Sequence, residues 1–188
     1  MKKLNPRELA FAGALSALSA VLQLYHLGYQ SPQWGMWIDL VAVSWIIAYF
    51  LFGIRGGFFV SFLGAIIITL FAPDTWLGAS MKWVATVPLI VSLYLFAGLF
   101  KKNISEFRHV RNMVIPLLSG IAIRSLLVIP LNYYYAIPIW TGMTPKQAIT
   151  AIPWYIIFAF NTVQSLIDVL FAHLLVFKFK LDRFASWK

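Results

Sequence analysis

Six apolar runs, each separated from the next by a short polar or Gly/Pro-rich stretch, take up most of the chain's 188 residues. They cover residues 6–27, 38–52, 58–71, 80–100, 112–135 and 153–177. A helix that crosses a bilayer needs about 20 predominantly apolar residues. The pattern therefore predicts an all-α integral membrane protein, one domain over 1–188 built as a bundle of six transmembrane helices. Pro6 falls where a first helical turn tolerates it. The second run is short for a bilayer, and GIRGG over residues 53–57 reads as a tight turn leading into the third. Residues 28–35 and 136–152, the latter with Pro138, Gly142 and Pro145, read as polar connections. The basic N-terminus resembles the start of a signal peptide, but the apolar run continues without a cleavage site and counts as the first span.

Composition sharpens this. Hydrophobic residues make up 61% and charged residues 11%, whereas a soluble domain is roughly half apolar and a quarter charged. The six runs leave no segment for a soluble domain or a nucleotide site, so ATP-driven work falls to a partner. The absence of cysteine excludes disulfides and thiol chemistry. The net charge of +9 does not build a face for nucleic acid. With six spans, twelve bases fall on one side (Lys2, Lys3, Arg7, Arg55, Lys101, Lys102, Arg108, Arg111, Lys178, Lys180, Arg183, Lys188) and two, Lys82 and Lys146, on the other. The basic side is cytoplasmic by the positive-inside rule, which puts both termini inside the cell membrane.

Candidate chemistry lies in three places. In the first span Ala10, Ala14 and Ala17 recur at helical spacing, and Gly13, Ala17 and Ala20 repeat the offset with Ser16 beside them. Such a stripe admits a closely packed helix, within the bundle or on a partner. The outer ends of the spans gather Trp34, Trp37, Trp76, Trp83, Tyr133, Tyr134, Tyr135, Trp140, Trp154 and Tyr155, as an interfacial belt does. Among them Asp39, Lys82, Asn132, Asn161 and Gln164 are polar at a depth where side chains face a cavity or the bundle interior. Apolar walls with a few convergent polar groups describe a small-molecule site. Arg124 and Asp168 lie deeper, about 18 Å and about 13–14 Å of helix from the cytoplasmic edge. They suit a structural ion pair or a substrate contact. His26, His109 and His173 lack metal-ligand spacing, and no nucleophile or phosphate-loop motif occurs, so no catalytic or metal residue is assigned.

Three stretches carry a resemblance: TWLGASMKWVAT over 75–86, LNYYYAIP over 131–138 and FNTVQSLI over 160–167. Together with the alanine-rich first span and the basic cytoplasmic edges, they resemble the riboflavin-specific S-components of energy-coupling-factor (ECF) transporters. The resemblance implies capture of a vitamin from outside without a cofactor, riboflavin being the transported ligand. It implies a transmembrane coupling protein and two cytoplasmic ATPase subunits as partners, docked on the face of Ala10, Gly13, Ala14 and Ala17. It implies substrate contacts at Asn132, Asn161, Gln164 and Lys82, with Asp39 and Trp76 beside them. Thiamine, biotin, a folate or a queuosine precursor are the alternative ligands. An intramembrane enzyme would need a nucleophile–base pair, and a channel a polar stripe through the whole membrane.

Overall fold

The computed structural model of the chain describes residues 5–25, 27–71 and 76–187. Lys2, Lys3, His26, Thr75 and Lys188 lie outside them. Helix α1, Pro6–Leu24, starts at a reciprocal cap: Glu8 N–H donates to Asn5 Oδ1 and Asn5 N–H to Glu8 Oε2, both at 2.8 Å. Its buried face is small: Ala12, Ser16, Ser19 and Ala20. The Ser16 hydroxyl donates to Ala12 O at 2.9 Å, so the buried oxygen keeps a partner.

The next connection adds one short ribbon to an otherwise all-helical fold. Strand β1, Gly28–Gln30, pairs antiparallel with β2, Trp37–Asp39, in the register Gly28 to Asp39. Ser31 N–H donates to Met36 O and Gly35 N–H to Ser31 O, each at 2.8 Å, closing the loop between them. A β-carbon on Gly28 would stand 2.0 Å from Ile38 O, so glycine is required there. Residues 38 and 39, expected to open the second span, belong to this ribbon. Three-residue strands are too short to announce themselves by alternation.

Segment α2, Val41–Phe71, is two helices joined at Gly53, whose φ of 72° and ψ of −166° are not helical. A β-carbon on Gly57 would lie 3.0 Å from Tyr49 Cβ, and one on Gly64 would lie 2.7 Å from Trp45 Nε1. In a straight helix residues 45 and 64 would be about 28 Å apart. The chain therefore folds back at Gly53 into two antiparallel arms, 41–52 and 54–71, and the turn expected around GIRGG is a single glycine. Every residue from 41 to 52 is buried. At about 18 Å this arm is shorter than the bilayer core, and an apolar helix of that kind belongs inside a bundle. Lipid is as apolar as leucine, so close packing holds it there. It packs against α3 (Trp76–Leu99), α4 (Arg111–Leu131) and α7 (Trp154–His173), with Ile46, Phe50, Leu89, Leu93, Leu117 and Val169 in one cluster.

A helix leaves its last carbonyls unpaired. Here the C-terminal tail supplies donors: Ser186 N–H reaches Leu51 O at 2.9 Å and Trp187 Nε1–H reaches Phe50 O at 2.8 Å. Below α3, a short 3-10 turn, Ile104–Arg108, places Arg108 Nη2 2.5 Å from Asp182 Oδ2. Helix α4 does not end near residue 135 as expected. It runs through a wide π turn, Asn132–Ala136, into α5, Ile137–Thr141. Pro138 cannot pair with the carbonyl four residues back, and a wide turn accommodates that loss. Helix α6, Pro145–Ala151, capped by Thr144, occupies what reads as a loop. Among the described residues four segments are long and apolar enough to cross a membrane: Val41–Phe71, Trp76–Leu99, Arg111–Thr141 and Trp154–Lys178. Since the first is a hairpin and α1 falls short of that apolarity, length and hydropathy alone do not count six crossings.

Candidate ligand-binding site

Where the β-ribbon meets α3, α4, α5 and α7, the bundle encloses a cavity of about 310 Å³. That is within the size of small-molecule sites. Each element contributes one face. On α3, Leu77, Met81 and Ala85 follow a four-residue step, with Gly78 and Lys82 beside them. On α7, Asn161, Gln164 and Asp168 share a face at steps of three and four. On the α4–α5 helix, Val128, Asn132, Ala136 and Trp140 are spaced by four. At about 3.6 residues per turn such positions drift around the axis, and the wide turn takes part of that drift back. The ribbon closes one side with Trp34, Met36 and Trp37, and Trp34 meets the edge of Phe160 at a centroid distance of 6.2 Å.

The polar groups form a linked set. Gln164 acts as a strand partner for Asp39: its Oε1 accepts from Asp39 N–H at 2.9 Å and its Nε2–H donates to Asp39 O at 2.8 Å. The other Nε2–H donates to Asp168 Oδ1 at 2.7 Å. Asp39 in turn accepts Val41 N–H at 3.0 Å, capping α2, and pairs with Lys82. Arg124 Nε–H donates to Asn161 Oδ1 at 2.9 Å, and its Nη1 stands 3.5 Å from Asp168 Oδ2. Arg124 is 4% exposed and Asp168 0%, a depth at which a lone charge is costly. Asn161 and Asn132 each donate Nδ2–H to the carbonyl four residues back.

Of the residues singled out in the sequence, Asp39, Lys82, Asn132, Asn161 and Gln164 all line this cavity, and Arg124 and Asp168 form its floor. Trp76 does not. It is 44% exposed and packs on Tyr135 at 6.5 Å, because α3 begins with it and the cavity face of that helix starts at Leu77. Nor do the three tyrosines of the 131–138 stretch: Tyr133 donates to Ile152 O, Tyr134 is exposed, and Tyr135 sits by Ser80. Of the aromatics gathered at the outer ends of the spans, Trp34, Trp37 and Trp140 are cavity walls. Gln23, Met36 and Met81 were not expected at all. Met81 falls within the 75–86 stretch, and Gln23 lies near the end of α1. Ala10, Ala14 and Ala17 are exposed and Gly13 half-buried, with nothing within 4 Å of a β-carbon there, whereas Ser16 and Ala20 are buried within the protein. No group of three metal-ligating side chains occurs among the described residues.

The family described as "ECF transporter, substrate-specific component" matches residues 7–178, nearly the whole chain. This chain belongs to that family. It is thus a transporter subunit and a multi-pass membrane protein. A solved structure titled "Structure and mechanism of the S component of a bacterial ECF transporter" is similar in fold, with a TM-score of 0.68 at 20% identity over 92% of this chain and 97% of that one. No curated protein sequence matches. The S-component assignment places the cavity in the subunit that selects the substrate.

Proposed function

We propose that this S-component captures riboflavin from the external side of the cell membrane, with both termini cytoplasmic. It then passes the vitamin on through a transmembrane coupling protein driven by two cytoplasmic ATPase subunits. The observation that carries the vitamin is the meeting, in one cavity, of indole and thioether walls with a floor of amides and charges. A flat ring system wants aromatic faces, and its carbonyls and ring nitrogens want donors and acceptors at the edge. Asn132 Oδ1 and the second Nδ2–H of Asn161 have no partner among the described residues and suit that edge. The exposed small-residue face of α1 supports docking on a coupling helix.

Protein purified from a riboflavin-containing medium is expected to be yellow and to quench added flavin fluorescence stoichiometrically. Asn161→Leu should weaken that binding by about 1–3 kcal/mol, the cost of an unpaired polar partner. A colourless protein that is saturated by thiamine or biotin and ignores riboflavin would overturn the vitamin, though not the transporter class.

A further inference from the structure

Arg124 has more hydrogen-bonding capacity than the protein uses. A guanidinium carries five N–H donors, and here one, Nε–H, is engaged, with Asn161. Nη1 faces Asp168 Oδ2 at 3.5 Å without a hydrogen bond, and neither atom has another partner among the described residues. Nη2 likewise makes no hydrogen bond to the described residues. The side chain is held by Asn161 on α7 and by the charge of Asp168 two turns further along the same face, and it lines the cavity. Buried polar groups left unpaired are rare in folded proteins and call for a partner.

The charges around it are matched. Among the described residues that line the cavity, Lys82 is paired with Asp39 and Arg124 with Asp168, and no other charged side chain is present. The two cations and two carboxylates sum to zero. A carboxylate or phosphate entering here would add a buried charge with no uncommitted counter-charge, which is costly. A neutral carbonyl would take up the spare N–H groups with no net charge added.

Resting on the assignment of this cavity as the substrate site, we propose that Arg124 is itself a ligand contact, donating from its unpartnered amino groups to a carbonyl oxygen of an electrically neutral ligand. Asp168 and Asn161 are the positioning residues that hold and neutralise it. The amides alone then do not define specificity.

The full chain in detergent, titrated by calorimetry with riboflavin, 2-thioriboflavin and 4-thioriboflavin, tests this, because sulfur is a weak acceptor at an otherwise similar site. Wild type is expected to prefer riboflavin over one of the two analogues by about tenfold or more. In the Arg124→Gln/Asp168→Asn double variant, which removes both charges and keeps the side-chain sizes similar, that ratio should fall to about one. Arg124→Lys, which retains charge but loses the planar fork, should also lower the ratio and serves if the double variant does not fold. Equal affinity of wild type for all three flavins, or a ratio that survives the substitutions, overturns the proposal. If riboflavin does not bind but neutral nicotinamide does, and binding depends on Arg124, the vitamin assignment falls and this inference stands. Tightest binding of a carboxylate such as biotin or pantothenate, or binding of none of these probes, overturns it.

Discussion

Gln164 shows what a single residue's type conceals. A glutamine inside an apolar run is legible as a cavity or interior position, because an amide facing lipid would be unpaired. What it holds is not legible, since its partner Asp39 lies 125 residues away. With both Nε2–H groups and Oε1 bonded to protein, Gln164 ties the ribbon to α7 while it lines the cavity. Arg124 and Asp168 were more legible, because depth along two consecutive spans fixes their heights. Removing either partner leaves the other charge buried alone. Arg124→Leu and Asp168→Leu should each destabilise the fold by about 3–5 kcal/mol, and the double substitution should recover much of that. Thermal unfolding in detergent reads this out directly. Two single losses that simply add in the double variant would mean that the pair contributes nothing as a pair.

Among elements, long helices were the most legible and short ones the least. The runs ending in α3 and α7 agree with those helices to within a few residues, since a long apolar stretch bounded by polar residues leaves few alternatives. No periodicity marks the ribbon, the wide turn or α6, although Thr144, Pro145 and Gln147 give α6 a local start. Glycines make the packing testable. A β-carbon on Gly64 would lie 2.6 Å from Ser19 Oγ and 2.7 Å from Trp45 Nε1, where α1 and both arms of α2 meet, while one on Gly13 meets nothing within 4 Å. Gly64→Ala should therefore cost about 1–3 kcal/mol through overpacking, and Gly13→Ala should be neutral or slightly stabilising. The open face around Gly13 carries the second expectation for α1. Ala14→Trp or Ala17→Trp should leave ligand affinity unchanged while abolishing transport and co-purification of the coupling protein. Loss of ligand affinity with the complex intact would return that stripe to packing within the subunit.

At the scale of the whole molecule, orientation rests on how the bases sort. Lys146 and Lys178 provide the sharpest contrast because α7 and its continuation, Trp154–Lys178, join them with 25 residues of helix. That is about 37 Å at 1.5 Å per residue, more than the roughly 30 Å hydrocarbon core. Lys146 on α6 precedes one end of this rod and Lys178 closes the other, so the two sit on opposite sides of any bilayer the rod spans. Lys178 belongs with Lys101, Lys102, Arg108, Arg111, Lys180 and Arg183 on the basic side, which the positive-inside rule assigns to the cytoplasm. Both side chains are exposed, and the chain contains no cysteine, so a single introduced thiol is the only one present. Lys146→Cys in intact cells should react with a membrane-impermeant maleimide. Lys178→Cys should react only after the membrane is opened. The reverse pattern would invert the subunit and move the cavity end lined by Trp140 and Thr141, near Lys146, to the cytoplasmic side. Uptake from outside would then be untenable, and the same cavity would have to load from within.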